Sequence, residues 1–282
     1  HTDSSAASDV YKRQILLDGS AYIGNLPHLQ DITTKLELLN SMGANINFHE
    51  DGFIEINSSN ITLPEARYEL VKTMRASILV MGPLVAKYGK AKISQPGGCD
   101  IGTRPIDFHL AGLEQMGAKI TSDSKYIYLE AKKLNPIDFN FPKVSVTGTE
   151  NLMMAATLID GVTVLRNCAK EPEVLELANY LNSCGAKIEG AGESNISITG
   201  VSNLEASRWN VLFDRIEAGT YLVAGAITNG HVKVNKINPQ TIKILTKKLT
   251  DMGVKVNVGE NYVEVDATSS DIIAQDIYTE PF

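Results

Sequence analysis

Glycine-marked segments recur along this chain of 282 residues at an almost constant spacing. One series follows a methionine or cysteine at steps of 74, 68 and 68 residues, and it comprises Gly43, Gly117, Gly185 and Gly253. A second series has steps of 70, 72 and 69 residues, and it comprises Gly19, Gly89, Gly161 and Gly230. Two independent series with one period indicate that a structural unit of about 70 residues is used four times.

The pattern inside each unit predicts its secondary structure. Alternating apolar and polar residues after the first glycine predict a strand, and a helix follows that ends at the second glycine. These helices are predicted to begin at a proline, namely Pro27, Pro105, Pro172 and Pro239. Two strands joined by a polar turn come next, and a second helix is predicted over 68–88, 149–159 and 215–227. The β-α-β-β-α unit predicts an α/β fold of repeats, and no G-x-G-x-x-G motif indicates a dinucleotide-binding sheet.

Composition and charge narrow the class of protein. With 43% hydrophobic and 21% charged residues, the chain is expected to form about two globular domains. The net charge of −7 argues against nucleic-acid binding by phosphate neutralisation, and three cysteines argue against a disulfide framework. The longest apolar stretch, 78–86, is too short to cross a membrane, and residues 1–14 lack the apolar core of a secretory signal. We therefore expect a cytoplasmic protein with neither nucleic-acid nor membrane partners.

A glycine-containing loop between a predicted strand and helix carries the strongest signal for chemistry. Gly97 and Gly98 are expected to leave Cys99 exposed, close to Arg104 and to the N-terminus of the next helix. Such surroundings favour a reactive thiol, and a loop cysteine without a chemical role is the alternative. The guanidinium of Arg104 and the free N–H groups of the helix that starts at Pro105 predict an anion site.

Other candidate residues are less specific. Arg75 lies on a predicted helix and faces either the same cleft or solvent. Cys168 and Cys184 stand in apolar-periodic surroundings and are predicted to be buried. No spacing of His, Cys, Asp and Glu predicts a metal site, and no cofactor is expected.

Several of these motifs together resemble a known family. They are Met74-Arg75-Ala76-Ser77, Pro96-Gly97-Gly98-Cys99, Gly102-Thr103-Arg104-Pro105-Ile106-Asp107, Val146-Thr147-Gly148-Thr149-Glu150-Asn151 and Asp214-Arg215-Ile216-Glu217. In these motifs the chain resembles the UDP-N-acetylglucosamine 1-carboxyvinyltransferases, a family of enolpyruvyl transferases, from Ile15 to Phe282. The resemblance implies an inside-out α/β barrel of two domains with three repeats each and an active site in the cleft between them. It implies two small-molecule substrates, phosphoenolpyruvate and UDP-N-acetylglucosamine.

The resemblance also implies roles for individual residues. Cys99 matches the general acid that protonates the methylene carbon of phosphoenolpyruvate, and Arg104 matches an arginine that binds both substrates. Arg75 matches a contact to the sugar nucleotide. The uridine-binding stretch corresponds to Pro105, Ile106, Asp107 and Phe108, and a second part of the same site corresponds to Lys143, Val144, Ser145 and Val146.

The chain departs from the family pattern at both ends. Residues 1–14 resemble nothing in the family, where a Lys-Asn pair binds phosphoenolpyruvate, and the family continues past residue 282 into a segment with the general-base aspartate. We therefore expect a first domain of three repeats at 15–212, a truncated second domain at 213–282, and at most trace turnover. Two alternatives are a non-catalytic sugar-nucleotide-binding protein of this fold and, ranked lower, a transferase acting on shikimate 3-phosphate, which would lack the Pro-Gly-Gly-Cys loop.

Overall fold

The computed structural model describes residues 13–27, 29–66, 75–95 and 106–278. Within these residues the chain forms two compact bodies, a larger one of residues 13–211 and a smaller one of residues 212–278. Each body has a hydrophobic core of its own. The larger body contains three of the predicted repeats, and the smaller body contains the fourth.

The three repeats of the larger body share one order of elements: a strand, a helix, a hairpin and a short strand. A 3-10 helix (Gln14–Leu16) precedes the first repeat, which consists of β1 (Ser20–Gly24), α1 (Gln30–Met42), β2 (Asn45–Phe48), β3 (Ile54–Asn57), β4 (Glu65–Ala66), a 3-10 helix (Arg75–Val80) and α2 (Met81–Tyr88). The second repeat consists of β5 (Lys90–Ser94), α3 (Asp107–Gln115), β6 (Lys119–Ser122), β7 (Tyr126–Glu130), β8 (Asp138–Asn140) and α4 (Val146–Ala156). The third repeat consists of β9 (Val162–Arg166), α5 (Pro172–Ser183), β10 (Lys187–Glu189), β11 (Asn195–Thr199) and β12 (Arg208–Asn210).

The smaller body repeats part of this order. Its elements are α6 (Arg215–Ile227), β13 (His231–Asn235), a 3-10 helix (Pro239–Ile242), α7 (Lys243–Asp251), β14 (Lys255–Val258) and β15 (Tyr262–Asp266). The prediction of an α/β fold built from repeats is therefore confirmed.

The glycines of the first series end their helices as predicted. Gly43, Gly117, Gly185 and Gly253 have φ angles of 112°, 103°, 99° and 90°. This left-handed region strains residues with a Cβ atom. At Gly43 a Cβ would also lie 2.5 Å from the carbonyl oxygen of Asn60, so the close approach of the two chains adds a second requirement for glycine.

The predicted helix starts are only partly correct. Pro172 is the first residue of α5, and Pro239 begins the 3-10 helix that precedes α7. The start at Pro27 is wrong, because residue 29 is still extended and α1 begins at Gln30. Pro105 lies outside the described residues. Among the second helices, 215–227 is confirmed.

Two of the second helices differ from their predicted bounds. The helix predicted at 149–159 is α4, which begins three residues earlier because Ser145 caps it. Of the helix predicted at 68–88, residues 75–80 are a 3-10 helix and 81–88 are α2. Residues 68–74 lie outside the described part.

A short strand at the end of each repeat joins the repeats of the larger body. β4 pairs in parallel with β5 of the second repeat, β8 pairs in parallel with β9 of the third, and β12 pairs in parallel with β1 of the first. Each of the three four-stranded sheets therefore receives one strand from another repeat. Because the third repeat returns its strand to the first, the exchange is cyclic and closes the larger body on itself.

Helix α4 occupies the interior of the larger body. Its residues from Gly148 to Ala156 are all buried, and it contacts α2, α3 and α5. The close approach of α2 depends on Gly82, where a Cβ would lie 2.5 Å from the backbone oxygen of Asn151. At the α3 contact, a Cβ on Gly112 would overlap the side chain of Leu152. Small residues thus let α2 and α3 pack closely against α4.

The smaller body shows the same local geometry after its hairpin. The amide of Ile273 donates to the carbonyl of Met252, as the amide of Thr62 donates to Met42 and that of Asn135 to Met116. In the earlier repeats the short strand begins three residues after that hydrogen bond. By the same spacing, the position of the short strand in the smaller body would be residues 276–278. The side chain of Ile277 in this segment is 68% exposed.

Candidate active site

The predicted site residues fall into two groups in the structure. Cys99, Arg104 and Pro105 lie outside the described residues. Arg75 is the first residue of the 3-10 helix Arg75–Val80, and its side chain also lies outside what is described. The other seven predicted residues are described, and they lie at the N-terminal ends of α3 and α4.

The first segment, residues 106–108, starts helix α3. Ile106 is the N-cap residue, and its carbonyl accepts hydrogen bonds from the amides of His109 and Leu110 at 3.0 and 3.2 Å. Asp107 is exposed in the first turn, where the helix dipole favours a carboxylate. Ile106 and Phe108 are half-buried against the core and keep part of their apolar surface accessible. This end of α3 therefore presents apolar surface beside one carboxylate.

The second segment, residues 143–146, starts helix α4. Ser145 is an extended N-cap whose Oγ accepts a hydrogen bond from the amide of Gly148 at 3.1 Å. Its carbonyl accepts from the Thr149 hydroxyl at 2.8 Å, which orders the first turn. Lys143 and Val144 precede the cap and are exposed. An exposed ammonium next to a helix N-terminus makes this end of α4 attractive to anions.

A buried histidine joins the two segments, and the sequence patterns did not predict it. His109, on α3, is only 2% exposed. Its Nε2 lies 3.3 Å from Oγ1 of Thr147, and its Nδ1 lies 2.9 Å from Nδ2 of Asn151, both on α4. The Oδ1 atom of Asn151 in turn accepts from the amide of Gly82 at 2.9 Å. One polar network therefore connects α2, α3 and α4 next to both predicted binding segments.

The two described cysteines are structural. Cys168 and Cys184 are each 2% exposed, as predicted. Burial raises the pKa of the Cys168 thiol to about 11, so it stays protonated near neutral pH. A protonated, buried thiol is a poor nucleophile and a poor metal ligand. Because burial keeps both thiols away from any substrate, neither cysteine is a candidate for the predicted acid chemistry.

Two further properties concern the described part of the chain alone. Residues 13–27, 29–66, 75–95 and 106–278 contain no group of three or more His, Cys, Asp or Glu side chains able to hold a metal ion. Their helices are all too short or too polar to span a membrane.

Comparison with solved structures identifies the fold. The enolpyruvyl transferase NikO from Streptomyces tendae superposes with a TM-score of 0.81 at 18% identity, over 93% of this chain and 63% of its own. EPSP synthase from Acinetobacter baumannii superposes with a TM-score of 0.69 at 18% identity, over 95% of this chain and 63% of its own. The fold is therefore that of the enolpyruvyl transferases.

Sequence comparison gives the family. The sequence model of the EPSP synthase (3-phosphoshikimate 1-carboxyvinyltransferase) family matches residues 14–282, and the chain belongs to that family. The UDP-N-acetylglucosamine 1-carboxyvinyltransferase of Coxiella burnetii (strain Dugway 5J108-111) is 46% identical over 279 residues. This alignment covers 99% of the chain and 64% of the relative, so the chain spans less than two thirds of its length. The predicted membership of the enolpyruvyl transferases is confirmed.

Proposed function

We propose that this chain belongs to an enzyme that transfers the enolpyruvyl group of phosphoenolpyruvate to the 3′-hydroxyl of UDP-N-acetylglucosamine, with release of phosphate. The observation that carries the proposal is the 46% identity, over 279 residues, to a relative named for this reaction. The apolar and cationic ends of α3 and α4 support it, because a uridine diphosphate sugar needs both kinds of contact. In this proposal residues 15–212 are the first domain, and 213–282 belong to the second.

The proposed reaction divides into an addition and an elimination. The sugar hydroxyl gives its proton to a base and its oxygen adds to C2 of phosphoenolpyruvate, while an acid protonates the C3 methylene carbon, which becomes a methyl group. Loss of phosphate from C2 and of one proton from that methyl group then leaves the enolpyruvyl ether. We assign the acid to Cys99 and the phosphate contact to Arg104. A positioned acid close to a fixed cation is what this addition requires.

The described residues supply nucleotide contacts in this proposal. Lys143 and the N-terminus of α4 neutralise the diphosphate, since both carry positive electrostatic potential. Ile106 and Phe108 provide apolar surface for the uracil ring, and Asp107 provides an acceptor for a base or ribose donor. Arg75, Arg104, Pro105, Val144, Ser145 and Val146 complete the proposed binding residues.

Isothermal titration of the 282-residue chain with UDP-N-acetylglucosamine tests the proposal. We expect binding by this ligand and none by shikimate 3-phosphate, and we expect Lys143→Ala to weaken binding about tenfold by removing a charge-assisted contact. Lys187→Ala, an exposed lysine on β10, is the matched control and should change nothing. Preferential binding of shikimate 3-phosphate would instead indicate a transferase that acts on shikimate 3-phosphate.

The proposal also places the reaction at the first committed step of peptidoglycan precursor synthesis in the cytoplasm. Cell shape and cell division would then depend on this reaction.

The proposed function further makes Cys99 the target of the epoxide phosphonate fosfomycin. Incubation of the full-length parent with the drug and UDP-N-acetylglucosamine should add one drug mass to the peptide that contains Cys99, and an unchanged mass would contradict this assignment. Release of phosphate from phosphoenolpyruvate in the presence of UDP-N-acetylglucosamine, measured on the full-length parent, separates the enzyme from a non-catalytic binding protein of the same fold.

A further inference from the structure

We infer that His109 is a positioning residue, which holds the N-terminal ends of α3 and α4 at the separation that the sugar nucleotide requires. This inference rests on the proposed function, because it takes residues 106–108 and 143–146 as the nucleotide-binding segments. His109 directly follows Phe108, and its partner Thr147 directly follows Val146. A single side chain therefore ties the two segments together through residues that adjoin each of them.

The network fixes the protonation state of the imidazole. Because Oδ1 of Asn151 accepts from the amide of Gly82, the Asn151 side chain presents its NH2 group to His109. An NH2 group only donates, so Nδ1 of His109 must accept and carries no proton. The ring is then the neutral tautomer with its proton on Nε2, and this N–H donates to the hydroxyl of Thr147. Both ring nitrogens therefore form a hydrogen bond with α4.

Burial stabilises the hydrogen bond between His109 and Asn151. His109 and Asn151 are 2% and 0% exposed, so water does not readily replace their mutual hydrogen bond. One turn further along, Gly112 packs directly on Leu152, which adds a second close contact between α3 and α4. The consequence is a preorganised pair of helix ends, which lowers the ordering cost of binding a ligand that contacts both.

Substitutions at both ends of the tether test the role. His109→Gln retains a donor near the Nε2 position but loses the acceptor for Asn151, and Thr147→Val loses the acceptor for Nε2 with almost no change in volume. We expect each to weaken UDP-N-acetylglucosamine binding to the 282-residue chain about tenfold, because misplaced helix ends lose preorganisation. Thr147→Ser keeps the hydroxyl and should restore binding. The double variant should lose less than the product of the two single losses, since both break one network.

A control separates positioning from general stability. Asn182, on α5 of the same body, exchanges two hydrogen bonds of 2.9 Å with the backbone of Ile188. Asn182→Ala should lower the urea midpoint and leave the dissociation constant within twofold. Because Thr147 is exposed, its variants are expected to fold even if a His109 variant does not. A long-range 1H–15N spectrum of the unsubstituted chain should show the His109 proton on Nε2.

The outcomes distinguish the two proposals. If the unsubstituted chain binds the sugar nucleotide and Thr147→Val binds it equally well, His109 has no positioning role and the proposed function stands. A proton on Nδ1 would also overturn the inference, because Asn151 could not then donate to it. If the unsubstituted chain binds no sugar nucleotide, the proposed function fails, and the positioning role fails with it.

Discussion

Trp209 on β12 lies directly opposite Ile23 on β1, in parallel register, although 186 residues separate them in the chain. Its ring packs edge-on against Tyr180 with centroids 5.4 Å apart, and its indole Nε1 donates to Glu176 at 3.2 Å. The third repeat thus returns to the first through the pairing of β12 with β1, and the Trp209 side chain anchors β12 on α5 of its own repeat. The pairing of β12 with β1 closes the cyclic strand exchange of the larger body.

Trp209→Ala should therefore destabilise the larger body by about 3 kcal/mol, the low end for removing a large aromatic side chain that is half-buried here. Trp209→Phe keeps a ring against Tyr180 and loses the indole hydrogen bond, so it should cost about 1 kcal/mol. Urea unfolding followed by circular dichroism measures both. Equal stabilities of the two variants would show that the ring does not anchor β12 on α5.

Gly82→Ala should also destabilise the larger body, by about 1–3 kcal/mol, because the new methyl group meets the backbone oxygen of Asn151. Gly219→Ala on α6 is the matched control. There the nearest atom is the movable Cδ2 of Leu245 at 2.9 Å, and alanine is the better helix former. Calorimetric unfolding of both variants measures the difference. If Gly82→Ala lowers the unfolding free energy no more than Gly219→Ala does, α2 and α4 can separate at no cost.

Ser145→Ala removes the side-chain cap of α4 and should cost about 1 kcal/mol of unfolding free energy. If the proposed function is correct, it should also weaken UDP-N-acetylglucosamine binding, because the first turn of α4 is then less ordered. Asn238→Ala removes the Asn238 cap of the 3-10 helix in the smaller body and should leave nucleotide binding unchanged. Titration with UDP-N-acetylglucosamine of the unsubstituted chain and of the two variants, each at the same fraction of folded protein, measures the difference in binding. Unchanged binding by Ser145→Ala would exclude the cap from the site.

Thiol labelling should separate the three cysteines. At pH 8 only about one part in a thousand of the Cys168 thiol is ionised, since its pKa is about 11, so iodoacetamide should label it slowly in the folded chain. The buried Cys184 should be protected by lack of access. Cys99, predicted from its loop to be exposed, should react first.

Peptide mapping by mass spectrometry gives each labelling rate. In urea all three should react at similar rates, which controls for intrinsic reactivity. Raising the pH toward 11 should accelerate labelling of Cys168 in the folded chain. Rapid labelling of folded Cys168 at pH 8 would contradict its burial.

The candidate site was predictable in part. Residues 106–108 and 143–146 are each contiguous in the sequence, and the resemblance to the enolpyruvyl transferases proposes them as binding residues. The tether between them was not predictable, because His109 and Asn151 stand 42 residues apart and each looks like an ordinary helix residue. The start of α1 was mispredicted for a related reason. Pro27 is compatible with a helix start, but it does not require one, and the chain stays extended through residue 29.

The sequence by itself determined the repeat, the α/β class and the glycines that end the first helix of each repeat. These depend on contacts within a few residues, such as a glycine at positive φ or an apolar face at helical spacing. Only the tertiary structure decided which repeats exchange strands and which helices meet at α4. The short strands β4, β8 and β12 have two or three residues each, too few for a periodic pattern, and their partners lie in other repeats. Such strands are stable only when long-range packing brings their partners alongside.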